Sequence, residues 1–233
     1  MSLTNKKQQL NIKIKGFKNE YQEISEINNS VYSDRPISPE EFIEFDTNRN
    51  KKCKHRRWIA IIDNKIVGTG VFTQEIWQYH PDKFYIWMMV KPEYQNIGVG
   101  SKLYDRIWKS LEKFNPISVN TDARNDMPQA DRFIKERGYK SFQRYAEPHL
   151  EVSSFDFAPY ESLMEKIKSE GIIIKTMQEL ENDPDRNHKI YEMDQEIAAD
   201  MPDEDGFTKL DYETYRKENL EASYTNPDSY FIA

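Results

Sequence analysis

Residues 87–103, WMMVKPEYQNIGVGSKL, combine the end of an apolar strand, a short loop and the start of a helix. The strand is predicted over residues 83–90, because such an apolar run is typical of a strand buried on both faces. Pro92 ends the strand, since proline cannot continue a central ladder. A helix follows over residues 98–111, with apolar residues at every fourth position. The stretch therefore predicts a strand–loop–helix unit at the centre of the fold.

The loop before this helix has the features of a pyrophosphate-binding site. Backbone N–H groups at a helix start lack intrahelical partners, and the helix dipole adds positive potential there. Gly98 and Gly100 lack a Cβ, so an anion can approach the backbone closely. An ordinary strand–turn–helix connection is the alternative. The loop is neither a G-x-G-x-x-G motif, because residue 103 is Leu, nor a P-loop, because no Gly-Lys-Ser/Thr follows.

The whole string of apolar strand, V-x-P, Q-x-x-G-x-G and amphipathic helix resembles motif A of the GNAT superfamily of N-acetyltransferases. The family pattern is V-x-P-x-x-(Q/R)-x-x-G-x-(G/A), and it is matched by Val90, Pro92, Gln95, Gly98 and Gly100. The resemblance extends over residues 12–157. It implies an enzyme that moves an acetyl group from acetyl-CoA, its co-substrate, to a primary amine of a small molecule or peptide.

The resemblance also implies a set of cofactor-binding residues. Strand backbone would pair with the pantetheine arm, loop amides would bind the pyrophosphate, and a residue further on would meet the outer part of the cofactor. These residues are Met88, Met89, Val90, Gln95, Asn96, Ile97, Gly98, Val99, Gly100, Ser101 and Asn125. A splay between the strands at 84–90 and 117–121 would admit the thioester. Loops over residues 30–50 and 73–83 would build the acceptor pocket.

The residues that move protons are marked less clearly. Many relatives carry a tyrosine where this chain has Ile134, and a carboxylate on the strand where residues 84–90 have none. The candidate catalytic residues are Glu75, Asp122 and Tyr139, with His80, Tyr104 and Tyr145 as further candidates. Surface solvation is the alternative for each base. The missing groups leave open a second function, a non-catalytic acyl-CoA-binding or scaffolding module.

Together with residues 87–103, the segments on either side of them predict the element order β-α-α-β-β-β-α-β-α-β-β. Ser38-Pro39-Glu40-Glu41 is a helix start with an N-cap serine and a glutamate at N3. Further strands are predicted over 12–15, 57–62, 66–72, 117–121, 139–145 and 150–157, and further helices over 20–31 and 126–137. The fold class is therefore α/β (α+β), a mixed, mostly antiparallel sheet flanked by helices.

The C-terminal part resembles a repeat of the start. Residues 172–175 match 12–15, helices are predicted over 187–199 and 212–220, and residues 229–233 match the strand at 57–60. We therefore predict a complete GNAT-like domain over 1–157 and a partial second GNAT-like module over 158–233. The second module has no pyrophosphate loop, so we expect it to bind no CoA alone. It is expected to pack on the first domain or to be completed by a second chain in a homodimer.

Composition excludes several functional classes. The net charge of -7 disfavours nucleic-acid binding, and no apolar run approaches the ~20 residues that cross a bilayer. The N-terminus has no apolar segment typical of a signal peptide. Cys53 is the only cysteine, which fits a cytoplasmic protein, and the scattered histidines predict no metal site. Cys53 lies in a basic run, residues 51–57, so a reactive thiol and a solvated loop are both open.

Overall fold

The computed structural model describes residues 10–201 and 206–233. The chain forms two compact units. The first comprises the residues up to 121 together with 187–224, and the second comprises 122–186 together with 225–233. The start of the chain, residues 1–9, and residues 202–205 lie outside the described residues.

The first unit is built on a five-stranded sheet with the strand order β1-β2-β3-β4-β5. Its strands are β1 (Lys13–Gly16), β2 (Arg56–Ile62), β3 (Lys65–Thr73), β4 (Lys83–Val90) and β5 (Ser118–Asn120). The first four strands pair antiparallel, and β5 pairs parallel to β4. The predicted turn between β2 and β3 is formed by Asp63 and Asn64, both with positive φ, as a two-residue hairpin requires. The predicted mixed, mostly antiparallel sheet flanked by helices is confirmed.

Helices cover both faces of this sheet. They are α1 (Tyr21–Val31), α2 (Pro39–Asn48) and α3 (Val99–Leu111). The predicted capping box of α2 is present, with Ser38 and Glu41 hydrogen-bonded in both directions. The apolar stripe of α3 is fully buried against β3 and β4, and a Cβ at Gly70 would lie only 2.8 Å from Ile107 Cδ1. Glycine therefore lets α3 approach the sheet closely.

The C-terminal part of the first unit contains α6 (Arg186–Asp200) and α7 (Tyr212–Tyr215), which continues into a wider turn over Arg216–Leu220. Gln195 on α6 binds the segment just before α7, because its Oε1 accepts a hydrogen bond from Leu210 N at 2.9 Å. The Tyr191 hydroxyl donates to the Leu210 carbonyl oxygen at 2.6 Å. These contacts make residues 206–220 a folded segment. Among the described residues, no helix is long and apolar enough to cross a bilayer.

The second unit contains α4 (Pro128–Lys135), α5 (Glu161–Ser169) and a two-stranded sheet of β6 (Lys175–Thr176) and β7 (Phe231–Ile232). The strands predicted over 139–145 and 150–157 are wrong, since the described residues there form only irregular structure and short 3-10 turns. Their apolar side chains, Tyr145 and Leu150 among them, stay largely exposed. A strand needs a paired neighbour and a buried face, and this segment has neither.

The predicted repeat has a structural counterpart in chain order. The elements β6-α6-α7-β7 follow one another as β1-α1-α2-β2 do, and β6 pairs antiparallel with β7 as β1 does with β2. Only Lys175 of the predicted strand 172–175 joins the ladder, and Ile172, Ile173 and Ile174 are exposed. The division into a complete domain over 1–157 and a partial module over 158–233 stays a prediction.

Candidate active site

The loop between β4 and α3 is closed by its own side chain. Gln95 Nε2 donates a hydrogen bond to the Val90 carbonyl oxygen at 3.0 Å, which ties the loop to the end of the strand. Asn96 has a φ of 59°, and Gly98, the N-cap of α3, has a φ of 96°. Residues that carry a side chain rarely adopt this left-handed backbone conformation, so the turn depends on the glycine at position 98. The predicted glycine-dependent turn is present.

The start of α3 offers backbone N–H groups to an anion. The first hydrogen bond within the helix runs from Lys102 N to the Gly98 carbonyl oxygen at 3.1 Å. The N–H groups of Val99 and Gly100 precede that bond, and helix geometry gives them no partner within α3. No side chain caps this end. The 13-residue helix adds the positive end of its dipole. Asn96, Ile97 and Gly98 are exposed, so a ligand can reach the turn.

A gap opens along one edge of β4. β3 pairs with β4 from Tyr85 to Val90, whereas β5 pairs only with residues 83–85. Among the described residues, no strand pairs with the β5 side of β4 beyond Tyr85. Lys91 N donates to the Val67 carbonyl oxygen, toward β3, and the Val90 carbonyl oxygen accepts from Gln95 on the other side. Because strand backbone groups alternate, Met88 and Val90 face the gap and Met89 faces β3.

Aromatic side chains line one face of the sheet beside the gap. Tyr85 and Trp87 lie on the same face, because they are two residues apart on β4. Thr73 pairs with Tyr85 and shares that face. Tyr32, just after α1, stacks on Trp87 with ring centroids 6.3 Å apart and planes at 4°. Tyr32 and Thr73 belong to the ranges 30–50 and 73–83, which are expected to build the acceptor pocket.

Charged side chains gather at the amino end of β4. Arg49, after α2, donates from Nη1 to Thr73 Oγ1 at 2.8 Å. Burial raises the pKa of Glu75, against the charge of Arg49 and a hydrogen bond from Trp77. Burial also raises the pKa of Glu218, where Arg49 opposes the shift and the negative charge of Glu75 adds to it. Burial therefore raises the pKa values of both Glu75 and Glu218, and the charge of Arg49 opposes both shifts.

The carboxylate of Asp46 on α2 interacts with Arg49, His55 and Arg57. Its carboxylate accepts two hydrogen bonds from Arg57 at 2.8 and 3.3 Å and one from the Tyr21 hydroxyl at 3.3 Å. Arg49 Nη2 lies 3.6 Å from the same carboxylate. His55 Nε2 lies 3.7 Å from it, but burial and the charges of Arg49 and Arg57 lower the pKa of His55 to about 3. His55 is therefore neutral at physiological pH.

Neither reading of Cys53 from the sequence is right. The side chain is buried, and burial, followed by the charge of Glu75, raises its pKa to about 11. The charge of Lys52 acts to lower this pKa, but desolvation of the thiolate is the larger effect. Arg57 of the same run is also buried, in its ion pair with Asp46. The basic run is thus neither a reactive thiol site nor a solvated loop throughout.

The remaining candidate residues lie elsewhere. Asp122, Asn125 and Tyr139 belong to the second unit, and their part in the site remains a prediction. His80 lies in a turn, where its Nδ1 accepts from Asp82 N at 3.1 Å. Tyr104 stacks on Trp108 along α3. Ser101 is half-buried in the first turn of α3.

Sequence reasoning missed four residues at the amino end of β4: Arg49, Gln74, Thr208 and Glu218. They come from separate parts of the chain, and no local pattern marks any of them. The buried side chain of Gln74 donates to the carbonyl oxygens of His80 and Pro81 at 2.8 and 2.9 Å and thereby folds the loop after β3. Within the described part of the chain, no group of three His, Cys, Asp or Glu side chains could hold a metal ion.

One protein family and several solved structures are similar to parts of this chain. Residues 54–141 match the acetyltransferase (GNAT) domain family. No curated protein matches the sequence. The solved structures similar to this chain include an acetyltransferase from Trypanosoma brucei, at 14% identity and a TM-score of 0.47, which covers 60% of this chain and 99% of its own. They also include the Salmonella typhimurium protein yncA, solved with its cofactor acetyl-CoA, at 15% identity and a TM-score of 0.48. That match covers 55% of this chain and 79% of yncA. Residues 54–141, which hold β2 to β5 and α3, are thus the part of the chain that matches the acetyltransferase (GNAT) domain family.

Proposed function

We propose that the chain is a CoA-dependent N-acetyltransferase that acts on a primary amine of a small molecule or peptide. One conjunction carries the proposal: a glycine-dependent turn, an uncapped helix start and an open strand edge lie at the carboxyl end of β4. An anion with an extended polar arm fits this arrangement. The turn suits a pyrophosphate, and the open edge offers hydrogen bonds to amide groups such as those of pantetheine.

The residues proposed to hold acetyl-CoA divide by the part of the cofactor they meet. Met88 and Val90 would pair with the pantetheine arm, because their backbone groups face the gap. Residues 95–101 would bind the pyrophosphate through their backbone. Met89 and Asn125 remain in the proposed set, although Met89 faces β3 and Asn125 belongs to the second unit.

The chemistry requires removal of a proton from the acceptor. An alkyl amine has a pKa of about 10.4 and is mostly protonated at neutral pH. Acetyl-CoA supplies an acetyl group activated as a thioester. The amine nitrogen forms the new C–N bond, the C–S bond breaks, and the sulfur leaves as a thiolate or takes up a proton. A backbone N–H of β4 that faces the gap would stabilise the carbonyl oxygen as it becomes negative.

Glu75 is the base we favour among the three proposed catalytic residues. It lies two residues after Thr73, which pairs with Tyr85 near the amino end of β4. Burial raises its pKa, which brings its basicity closer to the pH at which the reaction runs. Asp122 and Tyr139 stay proposals, Asp122 as an alternative base and Tyr139 as the acid for the leaving sulfur.

Thiol release tests the function directly. The protein would be titrated with acetyl-CoA by calorimetry and then incubated with alkyl diamines, amino sugars and short peptides while free CoA thiol is measured. Binding of one equivalent with amine-dependent thiol release is expected. Binding without release from any amine would favour the second candidate, a non-catalytic acyl-CoA-binding module, which the missing carboxylate of β4 and Ile134 support. Failure to bind acetyl-CoA would overturn both.

Two further features belong to this proposal. The single cysteine, Cys53, fits a cytoplasmic protein, because no internal disulfide can form. Assembly as a homodimer would be tested by the mass of the protein in solution.

A further inference from the structure

A segment distant in sequence lies on the loop that ends the acceptor side of the GNAT domain. The loop, residues 74–82, joins β3 to β4 at the end of β4 opposite the pyrophosphate turn. It carries Glu75, Trp77 and Tyr79. The segment, residues 207–224, follows α6 and belongs to the same compact unit as the sheet. Its contacts with the domain are therefore part of one folded body.

Thr208 forms two hydrogen bonds to this loop. Its backbone N donates to the Trp77 carbonyl oxygen at 2.7 Å, and its Oγ1 accepts from Tyr79 N at 3.1 Å. One residue thus holds both sides of Gln78. On the inner side, Gln74 holds His80 and Pro81. Thr208 therefore binds the backbone of residues 77 and 79 from outside the loop.

The rest of the segment reaches the charged cluster and α2. Glu218 lies close enough to Arg49 and Glu75 for their charges to act on it. The Tyr224 hydroxyl donates to the Glu218 carbonyl oxygen at 2.7 Å and fixes that turn. At its end, the segment binds Glu44 through Ser223 N at 2.9 Å and through the Ser223 hydroxyl. The segment therefore touches two parts of the domain, the loop and α2.

The direction of the gap gives these contacts a consequence. The pyrophosphate turn lies at the carboxyl end of β4, so a cofactor in the gap would direct its acetyl end toward Tyr85, where β5 closes the gap. An acceptor would approach from that end, past the loop 74–82. Resting on the proposed acetyl transfer, we propose that residues 207–224 complete the acceptor side of the domain and that Thr208 is a positioning residue for this loop. Loss of its side-chain contact would loosen acceptor binding while the cofactor site is kept.

The test compares two substitutions of Thr208 in the full chain. Thr208→Val keeps the shape and the backbone N–H but leaves Tyr79 N without its acceptor, whereas Thr208→Ser keeps the hydroxyl. For the amine that gives the fastest thiol release, Thr208→Val is expected to raise the acceptor KM about fivefold to tenfold, the range for one lost hydrogen bond. Thr208→Ser is expected to stay within twofold of the unchanged protein. The calorimetric Kd for acetyl-CoA should be the same in all three.

Ser223→Ala is the control for a general loosening of the segment. It removes a hydroxyl contact from the same segment but touches α2 and not the loop. An equal rise in acceptor KM for Ser223→Ala would show that the segment acts through stability and would overturn the positioning role. So would an unchanged acceptor KM in Thr208→Val. Amide hydrogen exchange of residues 77–79 should become faster in Thr208→Val alone. Unchanged exchange rates would contradict the hydrogen bond from Tyr79 N to Thr208 Oγ1.

The outcomes separate this inference from the function on which it rests. A protein that binds acetyl-CoA but acetylates no amine overturns both. A protein that acetylates an amine, with a Thr208→Val variant as good as Thr208→Ser, overturns only the role of the segment.

Discussion

At its carboxyl end β4 meets a turn made of backbone groups, whereas at its amino end it meets a cluster of charged side chains. The turn is held by Gln95 and depends on the left-handed Gly98. The cluster joins Arg49, Glu75 and Glu218, which come from three separate parts of the chain. The first end has the form of an anion site whose chemistry hardly depends on pH. The second can gain and lose protons, as acid–base chemistry on an acceptor requires.

The largest effect should follow from blocking the backbone end. In a Gly98→Trp, Gly100→Trp double variant, bulky side chains would occupy the space through which a phosphate approaches the N–H groups. We expect loss of acetyl-CoA binding by more than about 100-fold, since several charge-assisted hydrogen bonds are lost together. Calorimetric titration measures it.

Gly16→Trp is the matched control for this double variant. A Cβ at Gly16 has no atom within 4 Å, so the same change there should leave binding intact. Since Gly98 has a φ of 96°, a side chain there also strains the turn, and circular dichroism must show that the variant is folded. A folded double variant with unchanged affinity for acetyl-CoA would mean that the turn is not the cofactor site.

The side-chain end should respond through rate instead of binding. Glu75→Gln removes the proposed base and keeps its shape, so kcat should fall about 100-fold while the Kd for acetyl-CoA is unchanged. The exposed Glu112, after α3, provides a control as Glu112→Gln, which is expected to keep full activity. If Glu75→Gln is as active as this control, the base must be sought in Asp122.

The contrast also explains what could be predicted from the sequence. The turn is encoded by adjacent residues under a narrow physical requirement, a glycine at a positive φ before a helix, so a short string identifies it. The cluster depends on residues up to 169 positions apart, Arg49 and Glu218, whose electrostatic interaction exists only after folding. The strands predicted over 139–145 and 150–157 failed for a related reason. Their apolar residues are present, but the neighbouring strand that would bury them is not formed among the described residues.

A smaller effect should appear in the pH dependence. Arg49 lowers the pKa of Glu75, so Arg49→Met should raise that pKa further. If Glu75 acts as a base, the acidic limb of kcat/KM should then move to higher pH. Lys51→Met, an exposed cation in the loop after α2, is the control and should leave the limb in place. A shift to lower pH in Arg49→Met would contradict the assignment of Glu75.

The smallest effect concerns stability behind the charged end. His55 has a folded-state pKa of about 3, below its value of about 6.5 in an unfolded chain. Below pH 6.5 the unfolded state therefore binds more protons than the folded state, and stability contributed by neutral His55 is lost as the pH falls from about 6.5 toward 3. In His55→Gln this contribution is absent, so its free energy of unfolding in urea should fall less steeply over that window. The difference in slope should correspond to at most about one proton. Equal slopes would mean that His55 takes up its proton in the folded state, and the buried network around Asp46 would then be charged differently from what its geometry implies.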